Sequence, residues 1–285
     1  MTPAQSGHDT VGDHLLAEKK RAENFPVALR ILPAALRQDL GALYDVARVI
    51  DDIGDESGGD RTAALTRFRE DLRRAWEGEP EEPVLRRLVP VIRRRGLDRE
   101  PFDRLVRANL QDQVVARYAT QADLERYCEL SANPVGHIVL RIFGVRSPEA
   151  ERLSDLVCTA LQLIEHCQDV AEDRGNGRVY LPRKDLDEAG AMEEDLDAPH
   201  ANVAVRRAVA SQAGKALAQL GEGRALVGLL HGWARLAIAG YIAGGLATVD
   251  ALRRAGWDVL SATPRPRKRD VLRHLVTLLL RGGRR

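Results

Sequence analysis

Aromatic residues are scarce in this chain, at 4% of 285 positions, and β-branched runs are short. Such a sequence has little with which to cover the pleated faces of a sheet. Ala, Leu and Arg dominate instead, a composition that favours helices. The three cysteines, Cys128, Cys158 and Cys167, form no C-x-x-C pair, and their odd number suits a reducing compartment better than a disulfide framework. A formal net charge of +1 argues against nucleic acid as the main partner. No basic-then-apolar segment of the signal-peptide kind opens the chain, and no uncharged apolar run reaches the roughly 18 residues needed to cross a bilayer. The expectation is a soluble, cytoplasmic protein. Phosphate loops, G-x-G-x-x-G, H-E-x-x-H and G-x-S-x-G are all absent, and so are the Glu-x-x-His pairs of a di-iron bundle.

What the chain does have is two acidic clusters, Asp51-Asp52-Ile53-Gly54-Asp55 and Asp169-Val170-Ala171-Glu172-Asp173. Carboxylates at i and i+4 stack on one face of a helix, where like charges repel by about 0.2–0.5 kcal/mol per pair. The flanks are apolar almost all round (Leu43, Val46 and Ile50; Val157, Leu161 and Ile164), which makes both helices interior. Gly54 inside the first cluster costs about 1 kcal/mol of helix propensity, as a close approach of another element would explain. Arg48 lies three residues before Asp51, and Arg178 five after Asp173. Interior carboxylates need compensation, and clusters with oxygen donors alone suit a hard ion such as Mg²⁺, held by one or two carboxylates plus substrate phosphates. The chemistry suggested is metal-assisted handling of a diphosphate. His166, beside the second cluster, reads first as a packed or surface histidine and second as a base.

The length allows about three quarters of the unfolded surface to be buried, so one large domain suffices. Residues 1–20 read as a flexible segment, and Asn24 and Pro26 as the start of a short helix divided from the next at Pro33. Periodicity and breakers predict helices over Ala34–Asp55, 60–77, 83–95, 100–116 and 121–131. Pro134 and Gly136 should kink or restart the next helix, which ends near Gly144. Ser147-Pro148-Glu149 caps a long helix that carries the second acidic cluster to Gly175. Residues 183–200, with seven acids, read as a solvated loop, and two or three helices fill 199–256. Beyond 260 the balance is eight Arg or Lys to one acid, Asp270, around an apolar stretch from Leu275 to Leu280. This segment reads either as a frayed basic tail or as a helix lying on an anionic membrane surface. The fold class is all-α, a single-domain bundle.

Tyr44-Asp45-Val46-Ala47-Arg48 leads into the first cluster, and Gly177-Arg178-Val179-Tyr180-Leu181-Pro182 follows the second. With these flanks, from about residue 20 to 260, the chain resembles the squalene/phytoene synthase family. Glu23-Asn24-Phe25-Pro26-Val27-Ala28 and Ser131-Ala132-Asn133-Pro134-Val135-Gly136 are similar to its bacterial hydroxysqualene synthase branch, of hopanoid biosynthesis. The resemblance implies an isoprenoid-synthase bundle with a central cavity, the acidic motifs facing each other and Mg²⁺ bridging them to a substrate diphosphate. It assigns Asp51, Asp55, Asp169 and Asp173 to the metal, with Asp52 and Glu172 in support. Arg48 and Arg178 become diphosphate clamps, with Arg21 and Tyr241 as further members of that shell. Tyr44 would stand beside the departing group and Asn133 would line the cavity. Glu165 departs from the family's usual Asn, and either modifies the metal site or pairs with a base.

The implied reaction converts presqualene diphosphate and water to hydroxysqualene, with no redox cofactor. The alternatives are the head-to-head condensation to presqualene diphosphate or phytoene, and a silent helical scaffold docking partner enzymes at a membrane. A prenyl diphosphate, a membrane surface touched by the basic tail, and neighbouring pathway enzymes are the expected partners.

Overall fold

The computed structural model describes residues 32–55 and 59–281. Arg21, the expected N-terminal segment and the Glu23–Ala28 string lie outside the described residues. Within them the elements are helical, apart from one isolated parallel bridge between Arg117 and Val179.

Helix α1 (Ala34–Asp55) follows Pro33 and runs through the whole first acidic cluster. Its inner face is Leu40, Leu43, Val46 and Ile50, each at most 3% exposed and spaced three or four apart. Each such side chain contributes about 1.5–3 kcal/mol by leaving water. Helices α2 (Arg61–Arg74), α3 (Pro83–Arg95) and α4 (Arg99–Asp112) pack around it. Asp39, fully buried on α1, is held by Arg94 and by Arg95, whose Nε donates at 2.7 Å. This clamp fixes α1 against the end of α3.

Helices α5 (Gln121–Ser131) and α6 (Asn133–Ile142) come next. Thr120 and Asp123 form a reciprocal capping box at the start of α5. The chain restarts at Asn133-Pro134, as the sequence suggests. Gly136 lets α6 lie directly on α7 (Pro148–Gln168), because a Cβ there would collide with Ser154 Oγ and Cys158 Sγ. Ser147 Oγ caps α7 by accepting from Ala150 N at 3.3 Å.

The second acidic cluster departs from the expected continuous helix. Helix α7 ends at Gln168, Asp169 takes φ −105° and ψ 19°, and a short helix α8 (Val170–Gly175) follows. The Asp173 N–H still donates to Asp169 O at 2.8 Å, so the two carboxylates keep their one-turn spacing. What draws α8 aside is packing and charge together. Val170 is buried in a second, smaller core with Cys167, Val179 and Leu181, and Arg174 bonds Asp197 at 2.7 Å and also pairs with Glu193.

The expected solvated loop over 183–200 is also corrected. It contains α9 (Arg183–Ala189) and a 3-10 turn (Glu193–Asp197). Leu186, Ala189, Ala191 and Leu196 are buried in the second core. The apolar residues are few, and the acids between them mask the pattern.

Helix α10 (Val203–Gly223) lies along α7, and the short α11 (Leu226–Leu229) leads to α12 (Gly232–Arg254). By length and composition α12 could cross a membrane, yet most of it is buried inside the bundle. The basic C-terminal residues are not a frayed tail up to residue 281. They form α13 (Lys268–Arg281), packed on α12 through Arg254 with Asp270 at 2.7 Å and His274 with Asp250 at 2.8 Å.

Candidate active site

Tyr44, Arg48, Asp51 and Asp55 recur every three or four residues and so form one stripe along α1. Asp52 stands beside the stripe, its Oδ1 3.1 Å from Arg48 Nε. The end of α4 closes against this wall. A Cβ on Gly54 would collide with Asn109 Oδ1, so the glycine in the acidic cluster is what permits the approach. Across that contact Asn109 Nδ2 donates to Asp51 Oδ1 at 3.1 Å, and Gln113 Nε2 donates to Gly54 O at 3.1 Å.

The opposite wall is Asp169, Glu172 and Asp173, followed by the segment 176–182. That segment is laid against residues 116–119 by Val179 N donating to Ala116 O at 2.9 Å and Arg183 N to Tyr118 O at 2.9 Å. Its placement aims Arg178 across the gap. Arg178 Nη2 donates to Asp55 Oδ1 at 2.8 Å, so the second motif's flank is bonded directly to the first motif.

Between the walls sits an aromatic group that the sequence reading did not assemble. Tyr180 stacks on His166, ring centroids 3.8 Å apart, and lies 5.7 Å from both Tyr118 and Tyr127. The Tyr127 hydroxyl donates to Asp112 Oδ2 at 2.6 Å. His166 is therefore a buried, stacked ring, its Nδ1 3.8 Å from Asp173 Oδ2. Asn109, Asp112 and Gln113 were missed as well. Their i, i+3, i+4 spacing at the end of a helix is the polar counterpart of the acidic motif and could have marked them.

Three carboxyls here are pushed up to about 6. Burial raises Asp51 foremost, with the charges of Asp55 and Asp52 adding to it, against the Asn109 hydrogen bond and Arg48. Asp51 is exposed to solvent, so the charges of Asp55 and Asp52, which act in the same direction as burial, are the firmer cause of its upward shift. Burial, then Asp173 and Glu172, raises Asp169. Burial raises Asp112, with Asp55 and Asp51 adding, against the Tyr127 bond and the charge of Arg178. Burial works against the charge on Arg178, but its bond to Asp55 and the nearby Tyr180 and Asp112 more than offset that, so its pKa is raised. Tyr118, Tyr127 and Tyr180 are raised by burial and remain hydroxyl donors. The cysteines, pushed up to about 12 by burial, are inert thiols.

The arrangement concentrates negative charge on oxygen donors, with two guanidinium groups at its edge. That donor set fits a hard divalent cation. Among the described residues no three His, Cys, Asp or Glu side chains form a ready-made cage. A cation bound by one or two of these carboxylates would complete its shell with the oxygens of an anionic ligand.

The remaining expected residues lie elsewhere. Asn133 is buried, its Oδ1 accepting from Thr159 Oγ1 at 3.0 Å. Tyr241 is on α12, its hydroxyl raised by burial and by nearby Cys158. These two mark the interior where α6, α7 and α12 meet. Glu165 is exposed on α7, one turn before Asp169, whose N–H donates to the Glu165 carbonyl at 3.0 Å. A separate pocket of about 220 Å³ near His137 and Arg141 holds none of the motif residues. A narrower crevice is lined by His166, Asp173, Arg178 and Tyr180.

An all-α bundle carrying two aspartate-rich motifs on separate helices has the fold of the isoprenoid synthases. Residues 19–271 match the sequence model of squalene/phytoene synthase, and the chain belongs to that family. It is an enzyme of head-to-head prenyl diphosphate chemistry. A hydroxysqualene synthase of Rhodopseudomonas palustris is 35% identical over 210 residues, covering 72% of this chain and 70% of the relative. A presqualene diphosphate synthase of Sinorhizobium fredii is 32% identical over 205 residues, covering 70% and 72%. The squalene synthase HpnC of Alicyclobacillus acidocaldarius superposes with a TM-score of 0.78 at 42% identity, over 86% of this chain and 95% of that one.

Proposed function

We propose that the protein is a hydroxysqualene synthase, converting presqualene diphosphate and water to hydroxysqualene and diphosphate. The observation that carries this choice within the family is the 35% identity to a named hydroxysqualene synthase across 72% of the chain. The likeness to HpnC, a squalene synthase by name, supports the chemistry of the family.

Asp51, Asp55, Asp169 and Asp173 would hold Mg²⁺, with Asp52 and Glu172 in support. Bound there, Mg²⁺ supplies neutralisation of the charge that develops on the leaving diphosphate. Arg178 and Arg48 donate to the diphosphate oxygens as the carbon–oxygen bond lengthens, and being fixed in place they need no reorganisation. Tyr44, on the same stripe of α1, stands beside the departing group. The carbocation rearranges among apolar side chains that keep bulk water out, and a single water adds to it with loss of one proton. Asn133, buried and accepting from Thr159, lines the interior that receives the chain.

Condensation of two prenyl diphosphates is the second reading, favoured by the 32% identity to a presqualene diphosphate synthase. It would use the same residues to ionise its first substrate. Incubation with Mg²⁺ and presqualene diphosphate, and separately with farnesyl diphosphate, tests the choice by mass analysis of the lipid extract. A thirty-carbon alcohol from presqualene diphosphate, with farnesyl diphosphate untouched, is expected. A condensation product from farnesyl diphosphate would replace this reading with the second.

A further inference from the structure

Helix α13 runs antiparallel to α12, pinned at three points. Arg254 bonds Asp270, Arg273 and His274 bond Asp250, and Arg235 Nη2 donates to Leu279 O at 2.8 Å. Leu275, Leu278 and Leu279 turn inward and pack against the core. A helix held only to complete the bundle would be polar on its outer face. This one is not. Leu272, Val276 and Leu280, spaced at i, i+4 and i+8, are 61%, 46% and 71% exposed. Trp233, at the start of α12 and therefore at the Leu279 end of α13, is 44% exposed as well.

The charge around this stripe has one sign. Arg265, Arg267, Lys268, Arg269 and Arg273 are exposed, while Asp270, the one acid from 261 onward, is buried with Arg254. On the helical projection Lys268 and Arg273 fall on either edge of the stripe, and Arg269 continues it. An apolar strip edged by basic side chains is the composition of a helix that lies in the interface of an anionic bilayer, apolar side down.

The geometry points to this face as the surface on which the enzyme docks on anionic lipid. A second copy is the poorer fit. A two-fold contact would bring one basic helix against another, with Asp270, the one acid of this segment, already buried against Arg254. Three aliphatic side chains also supply only a fraction of the roughly 800 Å² per partner that a stable interface buries. The inference rests on the outer surface and stands apart from the reaction assigned above.

Flotation of the full chain with vesicles of phosphatidylcholine alone, and of phosphatidylcholine with phosphatidylglycerol, tests it. The protein should float with the anionic vesicles, float poorly with the neutral ones, and be partly released by high salt. L272Q/V276Q/L280Q, which alters only exposed positions, and K268Q/R269Q should each lower partitioning about tenfold or more. Both should keep the wild-type melting temperature and the rate of diphosphate release. Absence of flotation by the wild type would overturn the inference, as would equal flotation by both variants. A wild-type dimer in sedimentation equilibrium that L272Q/V276Q/L280Q dissolves would assign the face to a second copy instead.

Discussion

Arg178 reaches from the segment after the second acidic motif and donates to Asp55, the last residue of the first, at 2.8 Å. Two stretches more than a hundred residues apart in sequence thus share one bond at the site. The Asp55 side chain is 49% exposed, and an ion pair that open contributes little to stability. On the function proposed above, its use would be to hold a guanidinium at the site, ready for a ligand with stronger negative charge.

Arg178→Ala should therefore leave the melting temperature close to wild type while lowering kcat by about 10²–10³, the usual loss for one preorganised donor to developing charge. Arg178→Lys keeps the charge but not the planar fork, and should fall between the two. Steady-state diphosphate release and a thermal melt on the same preparations check this. A large drop in melting temperature with unchanged kcat would make the bridge structural.

Gly54 gives a sharper contrast. Replacing a helical glycine with alanine ordinarily stabilises by about 0.5–1 kcal/mol. Gly41, on the same helix, has open space around its Cβ position and should follow that rule, raising the melting temperature by about 1–2 °C. Gly54→Ala meets Asn109 Oδ1 instead, so the amide must leave Asp51. Its melting temperature should fall, and activity with it, as read by calorimetry on both variants. Equal stabilisation by the two substitutions would show that the approach of α4 is not tight.

The first acidic motif was legible as a helix with its boundaries because apolar periodicity and the break at Pro33 agree over Ala34–Asp55. Even the close approach at Gly54 could be anticipated from an out-of-place residue type. Asn109 and Asp112 carry a polar spacing that marks them as candidates, but their partners, like the role of Tyr127, arise from contact between helices that share no local pattern. The break at Asp169 is likewise set by tertiary forces, Arg174 bonding Asp197 and Val170 entering the second core. Residues 183–200 were misread for a related reason: four buried apolar side chains among seven acids carry too weak a period to see.

Asp51→Asn separates charge from fold. The carboxyl of Asp51 sits at about 6 in the folded protein against an ordinary 3.8. The folded state therefore binds the proton more tightly, and stability of the metal-free protein falls as pH rises between those two values, then levels off above 6. Asparagine cannot acquire that charge. In EDTA at pH 8 the variant should melt above wild type, and the difference should shrink towards pH 4, while turnover with Mg²⁺ is lost. A variant that melts below wild type at pH 8 would show that the carboxylate is well compensated without a cation.

Tyr127→Phe tests the opposite sign at a neighbouring carboxylate. The tyrosine hydroxyl donates to Asp112 at 2.6 Å, and that bond favours the charged form against burial and against Asp55 and Asp51. Removing the donor leaves a half-buried carboxylate without it, a loss of about 1–3 kcal/mol when the group is ionised. Asp112 titrates at about 6, so at pH 5 the folded protein already holds it mostly protonated and the loss should be small. Without the hydroxyl its pKa rises further, which carries the fall in stability to higher pH. Urea unfolding at pH 5 and pH 8 should show the variant's deficit growing with pH. A deficit of equal size at both would mean that the hydroxyl acts through packing with Tyr118 and Tyr180 rather than through the charge on Asp112.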